Sequence, residues 1–155
     1  MTFNQAAINA VYASAVSAAQ KLNVFEVVIQ HEPKSKPASL PACAIWTQAI
    51  TPIAGVSGLA ATSGRLSLRA RIYLNWLGKP EDKIDPELVR LTSALLDAYS
   101  GGFTFGGEVM EIDLLGAYGE SLSAQAGYIE HDGTMFRVME INLPVIITDL
   151  WEQTP

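Results

Sequence analysis

Twelve consecutive residues, Arg65 to Trp76, alternate with period two: Leu66, Leu68, Ala70, Ile72, Leu74 and Trp76 against Arg65, Ser67, Arg69, Arg71, Tyr73 and Asn75. Successive side chains of a strand point to opposite faces, whereas a helix of this sequence would scatter the apolar set around its circumference. The segment is therefore a long strand with one face turned to a core. Its other face is basic and aromatic, with three arginines at alternate positions. A solvated sheet face accounts for such a pattern simply. A subunit interface accounts for the rarer feature, the spacing of the arginines, because guanidinium groups favour paired and interfacial positions.

The rest of the chain has to supply the layers around that strand. Ile8, Val11, Tyr12, Ala15, Ala19 and Leu22 recur at helical spacing behind Thr2-Phe3-Asn4-Gln5, which has the spacing of a capping box, so a helix is expected over 3–21. Val24 to Gln30 reads as a short strand, 31–41 as a loop with three prolines, and Ala42 to Ile50 as a second strand apolar on both faces. Thr51 to Gly64 is Gly-, Ser- and Thr-rich and fits a strand and turn or a loop that orders on assembly. Asp85-Pro86-Glu87 opens a second helix, with Asp85 as N-cap and proline at the first helical position, and Leu88, Leu91, Leu95 and Tyr99 form its stripe. Gly101-Gly102 stops it. Strands are expected at Glu108–Leu114, Leu122–His131 and Met135–Asp149, with Asp132-Gly133 as a hairpin turn and Pro144 marking an edge or bulge. The order helix, three strands, helix, three strands predicts an α/β (α+β) domain: a mostly antiparallel sheet with two helices on one face, plus an extra β-hairpin. One domain spans 1–150, and 151–155 is a tail carrying Trp151, which either packs back or anchors a partner.

The 155-residue chain is long enough to bury a core unaided. Only 17% of its residues are charged, so part of its surface has little charge to keep it wet. The net charge of −6 is polarised: residues 104–155 hold nine acidic and one basic residue (−8), and residues 1–103 nine basic and seven acidic (+2). That balance disfavours a nucleic-acid grip, which needs clustered Lys and Arg, and suits the pairing of unlike surfaces. The single cysteine, Cys43, lies in an apolar run and reads as a buried thiol. No secretory leader or membrane-spanning stretch is expected.

Catalytic, cofactor and metal constellations are not apparent. Two histidines, His31 and His131, and one cysteine offer no zinc spacing. Glu108, Glu111 and Asp113 read as a solvated acidic strand, Ser57 as a loop serine outside any nucleophile elbow, and the glycines of 101–107 follow a helix, the reverse of a phosphate cradle. A small-molecule enzyme or binding domain stays open as an alternative, because carboxylates distant in sequence can meet in space.

Four pieces, in order, carry a resemblance. They are Leu66-Ser67-Leu68-Arg69-Ala70-Arg71-Ile72-Tyr73 after a Gly/Ser/Thr-rich stretch, the helix from Ile84-Asp85-Pro86-Glu87-Leu88 to Tyr99, Gly107 to Gly116 leading to Gly127-Tyr128-Ile129, and Phe136 to Ile147. Over about residues 55–150 this pattern resembles the tail-terminator proteins of long-tailed bacteriophages. The resemblance implies a small non-catalytic subunit without cofactor, forming a six-membered ring on the last ring of the tail tube. The ring stops tube polymerisation and meets the head-side connector or stopper protein. It implies a place at the head-proximal end of the virion tail, after assembly in the host cytoplasm, with no membrane partner. Another head–tail joining component, such as a stopper, is the runner-up. A closed ring needs two different complementary surfaces. Arg65, Arg69, Arg71 and Tyr73 are the expected subunit interface. Glu108, Glu111, Asp113 and Glu120 are the expected lumen, which would let DNA pass without binding it. Trp151 is the expected partner contact.

Overall fold

The computed structural model describes residues 5–54, 57–58, 60–77, 80–101 and 111–153. Helix α1 (Gln5–Lys21) is followed by strands β1 (Val27–Ile29), β2 (Ala42–Ile53) and β3 (Ala61–Asn75), helix α2 (Ile84–Gly101), and strands β4 (Glu111–Ile112), β5 (Ser123–His131) and β6 (Thr134–Glu152). The strands form one sheet in the order β1-β2-β3-β6, with β4 and β5 both on the far side of β6. Among the described residues only β1 is parallel to its neighbour; every other pair is antiparallel. The α+β architecture expected from the element order is the one observed.

The alternation of β3 sets the two faces. Leu66, Leu68, Ala70, Ile72 and Leu74 join Val11, Ala15, Ala19, Leu88, Leu91, Leu95 and Tyr99 from the helices in the main core, and Cys43 and Ile45 of β2 with Ile141, Leu143 and Val145 of β6 complete it. Both helices therefore lie on one face. The alanines of α1 let it approach α2 closely, and the Tyr99 hydroxyl donates to the Ala15 carbonyl across the helix pair (3.2 Å). A smaller cluster on the opposite face holds Ala42, Ala44, Trp46, Tyr73, Phe136 and Val138.

Several boundaries differ from the sequence reading, each for a local reason. Strand β1 shrinks to three residues, because only these pair with β2. Strand β3 begins at Ala61, where β6 supplies a partner as far as Glu152. Asp85 is not the N-cap: a 3-10 turn over Glu81–Lys83 carries the helix start back to Ile84, and the Asp85 carboxylate accepts from Arg137 Nε instead (3.0 Å). Pro144 is neither at an edge nor in a bulge. It lies in the central strand, opposite Ser67, at the break between β5, whose pairing ends at Asn142, and β4, whose pairing begins at Val145. A residue without an N–H fits where the partner strand changes. Strand β6 continues through Glu152, and Gln153 N donates to Ala60 O (2.9 Å), so no separate tail begins at 151. The expected capping box at 2–5 and the strand residues 108–110 lie largely outside the described residues.

Candidate functional site

The face of the sheet away from the helices is where the polar residues converge. Register decides this: Arg71 lies across from Glu140 and Arg69 from Asn142, with Gln125 across from Glu140 on the other side. Arg71 donates through Nε to Glu140 Oε1 (2.8 Å) and through Nη1 to the Tyr73 hydroxyl (3.0 Å), and Arg69 Nη1 donates to Glu140 Oε2 (2.9 Å). One carboxylate thus bridges two guanidinium groups. Arg71 is itself buried at 8% exposure, and its guanidinium also stacks over the Trp46 ring at 5.0 Å. Partial burial pushes the Glu140 carboxyl up, but the hydrogen bonds and charges of Arg71 and Arg69 together outweigh this and hold it below the ordinary carboxylate range. For Tyr73, burial dominates over its bond from Arg71 and raises the phenol.

Two loops close over the ends of this face. Residues 113–122 form a turn built on Asp113, whose buried carboxylate accepts from the backbone N–H groups of Gly116 (3.0 Å), Ala117 (2.8 Å) and Tyr118 (2.8 Å). The turn crosses β3, so that Arg65 Nη1 donates to the Tyr118 carbonyl (2.8 Å) and Ser67 Oγ to Glu120 Oε2 (2.7 Å). Gly119, at φ +121°, stands where an added Cβ would meet Arg65 Nη1 at 3.0 Å. At the other end, Pro33 and Pro37 of the 31–41 loop are buried, and Lys36 N donates to Asp132 Oδ2 of the β5–β6 turn (3.1 Å). Between the loops lies an open cleft of about 610 Å³, lined by Arg69, Ser123, Gln125, Tyr128, Glu140 and Asn142 among others.

These contacts revise the expected site. The arginine face is not an open basic surface, because Glu120 and Glu140 of the same chain neutralise much of it. Tyr73 is fully buried, and its hydroxyl meets Arg71 and His131 Nε2 (3.2 Å), so it supports the smaller core rather than offering a surface contact. Arg65 and Arg69 keep part of their side chains in solvent. Asp113 is withdrawn from any lumen, since it is buried and committed to its turn. Glu120 sits over β3 with Arg65 and Ser67, Glu111 is half-buried beside Ile146, and Glu108 lies outside the described residues. Trp151 is half-buried against Gly64, an arrangement that the absence of a Cβ at that position permits. The sheet thus brings Arg65 and Glu120 together, sets Glu111 in the same cross-strand row as Arg65 with Ile146 between them, and leaves Trp151 beside Gly64.

The sequence reading missed a second feature, on the helix face beside β5. Trp76 (43% exposed), Leu77 (72%) and Tyr128 (56%) form an apolar patch, with the Trp76 and Tyr128 rings edge to face at 4.9 Å. Arg137, ion-paired with Asp85, stacks over Tyr128 at 4.4 Å. A smaller cleft there is lined by these aromatics with Ile84 and Asp85. The signal in the sequence was Trp76, the one residue of the alternating run that lies past the end of its strand. Among the described residues, no group of His, Cys, Asp and Glu is arranged to hold a metal ion, and no helix is long and apolar enough to cross a membrane. No protein-family model matches the chain, and no curated protein matches it either.

Proposed function

We propose that the chain is a structural subunit that assembles with copies of itself into a ring capping a phage tail tube, and that it performs no catalysis. The observation that supports this best is the exposed Trp76–Leu77–Tyr128 patch with Arg137 at its side. Trp, Tyr and Arg are the residue types that carry most binding energy at protein interfaces, and a clustered patch of this kind is a surface awaiting a partner. The ring is the resemblance's contribution to the proposal, together with the tube below it and the connector or stopper above. DNA would pass the lumen without specific binding, and the −8 charge of residues 104–155 suits that role by repelling phosphates. Of the four acids expected there, Glu111 is the one, among the described residues, that takes part in neither the Asp113 turn nor the Glu120 contacts to Arg65 and Ser67, and it lies on the same sheet face, across Ile146 from Arg65.

The test is the solution mass of the full chain, alone and with a tail-tube protein. A mass six times that of the chain, and a tube that stops growing when the ring is added, are expected. A strictly monomeric chain under both conditions overturns the proposal. Capture of a connector protein but no tube moves the chain to another head–tail joining role.

A further inference from the structure

We propose that the outer edge of β5 is a strand-addition site and that its occupant is the outer edge of β2 from a second copy of the chain; this rests on the self-assembly reading above. Strand β5 pairs with β6 on one side and, among the described residues, with no strand on the other. Its nine residues hold one carboxylate, Glu130, no proline, and no break in register. Monomeric proteins blunt such an edge with charge, proline, a bulge or a cover, because its unpaired N–H and C=O groups are a template for another chain.

The opposite edge of the same sheet is open as well. Strand β1 covers β2 only at 42–44, and the Tyr12 hydroxyl reaches the Ile45 carbonyl (2.6 Å). From Ala49 to Pro52, past the register shift between Thr47 and Ala49, β2 has no further strand outside it among the described residues, carries no charge, and is mostly exposed. Pro52 lacks an N–H, so it limits the seam at that end.

The two edges match in direction, face and charge. Each step from β2 through β3 and β6 to β5 reverses direction, so β2 and β5 run opposite ways. Copies related by rotation about an axis along the strands therefore meet antiparallel, through two different surfaces, which is the arrangement that closes into a ring. Ile50 pairs with Leu66, and Tyr128 with Arg137, which pairs with Leu74; both Leu66 and Leu74 belong to the helix-side core. Continuing one sheet into the next thus lays Ile50, 43% exposed, on the same side as Tyr128 and Trp76. With Ile50 across from Tyr128, Ala49–Ile53 lies beside Gln125–Ile129, the register shift of β2 between Thr47 and Ala49 ends the regular seam, and Thr51 lies on the face of the polar cleft with Arg69. Pairing β5 with another β5 would instead join two like surfaces about a two-fold axis, which ends at a dimer and closes no ring. The uncharged β2 edge is the better complement.

The experiment uses native mass spectrometry and light scattering on the full chain, with circular dichroism to check folding. Ile50→Glu and Tyr128→Glu alter only exposed side chains. Each variant alone is expected to be monomeric, and an equal mixture to stop at a heterodimer, because one good seam survives. The double variant Ile50→Lys/Tyr128→Glu, which sets opposite charges across every seam, is expected to regain the wild-type mass. If the wild type assembles and either single variant assembles equally well, the β5–β2 seam is wrong while self-assembly stands. A wild type that stays monomeric at every concentration overturns both.

Discussion

Glu140 stands directly across from Arg71 on neighbouring strands, its Oε1 2.6 Å from Arg71 Nη2, and its other oxygen takes Arg69. This carboxylate is what allows two guanidinium groups to share one sheet face. Removing it strands a buried cation: Arg71 would keep the Tyr73 hydroxyl and the Trp46 and Tyr73 rings but lose its counter-charge. Breaking a fully buried pair costs about 3–5 kcal/mol, and partial exposure of Glu140 and Arg69 lowers that. Glu140→Ala is expected to destabilise the fold by about 2 kcal/mol, read as a lower urea midpoint. The pH dependence follows from the direction of the shift. Glu140 is held below its ordinary value in the folded state, so its contribution is full above the unfolded-state pKa and is lost as pH falls through the folded one. Stability of the wild type should therefore fall on acidification below about pH 4.5 more steeply than that of Glu140→Gln. Equal slopes would show that the carboxylate is not coupled to folding.

Asp113 offers a separate test, because it acts on backbone rather than on charge. Its carboxylate serves three amide donors in succession, and the loop it shapes delivers Tyr118 and Glu120 to β3. Asp113→Ala is expected to cost about 2 kcal/mol and to raise amide exchange at Gly116, Ala117 and Tyr118. Asp113→Asn, which keeps one acceptor oxygen, is expected to recover part of the loss. Exchange unchanged at these three amides would refute the role.

Arg71 and Ile72 are adjacent on β3, point to opposite faces, and are both buried. Alternation explains the burial of Ile72 but not that of Arg71. It makes the strand and its helix-side face legible from residues alone, as Asp132-Gly133 does for the antiparallel hairpin. It cannot say what lies over the second face. Glu140 and Glu120 are distant in sequence from the residues they meet, at separations of 69 and 53 residues for Arg71–Glu140 and Ser67–Glu120, so their pairing is a product of register and loop path. Asp113 reads as a strand carboxylate because it alternates with Glu111, but β4 ends at Ile112, one residue before it. Pro144 misleads for a related reason: a proline signals a missing ladder bond, and a change of partner within a central strand supplies one as well as an edge does.

The β5–β6 turn is the plainest local signal in the chain, and its backbone geometry can be measured against substitution. Asp132 and Gly133 both have positive φ, 54° and 77°, as a two-residue turn of this hand requires. Nothing lies within 4 Å of a Cβ added at Gly133, so Gly133→Ala tests backbone conformation without a clash. A cost of about 1–2 kcal/mol is expected, with no change in solution mass, since the turn lies at the end of β5. A neutral substitution would mean that the turn relaxes to another geometry.

Cys43 provides a chemical probe of the main core. The thiol is fully buried among residues packed beneath the helices, and burial pushes its pKa up to about 12. The thiolate is the reactive species, so both access and ionisation oppose modification. In native buffer at pH 8, a disulfide reagent such as dithionitrobenzoate is expected to leave the single thiol untouched, and to titrate one equivalent once urea unfolds the chain. Its rate at intermediate urea should track the opening of α1 and α2 from the sheet, because those helices cover that face. Rapid labelling of the folded chain would show that the helix layer opens without global unfolding and that the core is looser than its packing implies.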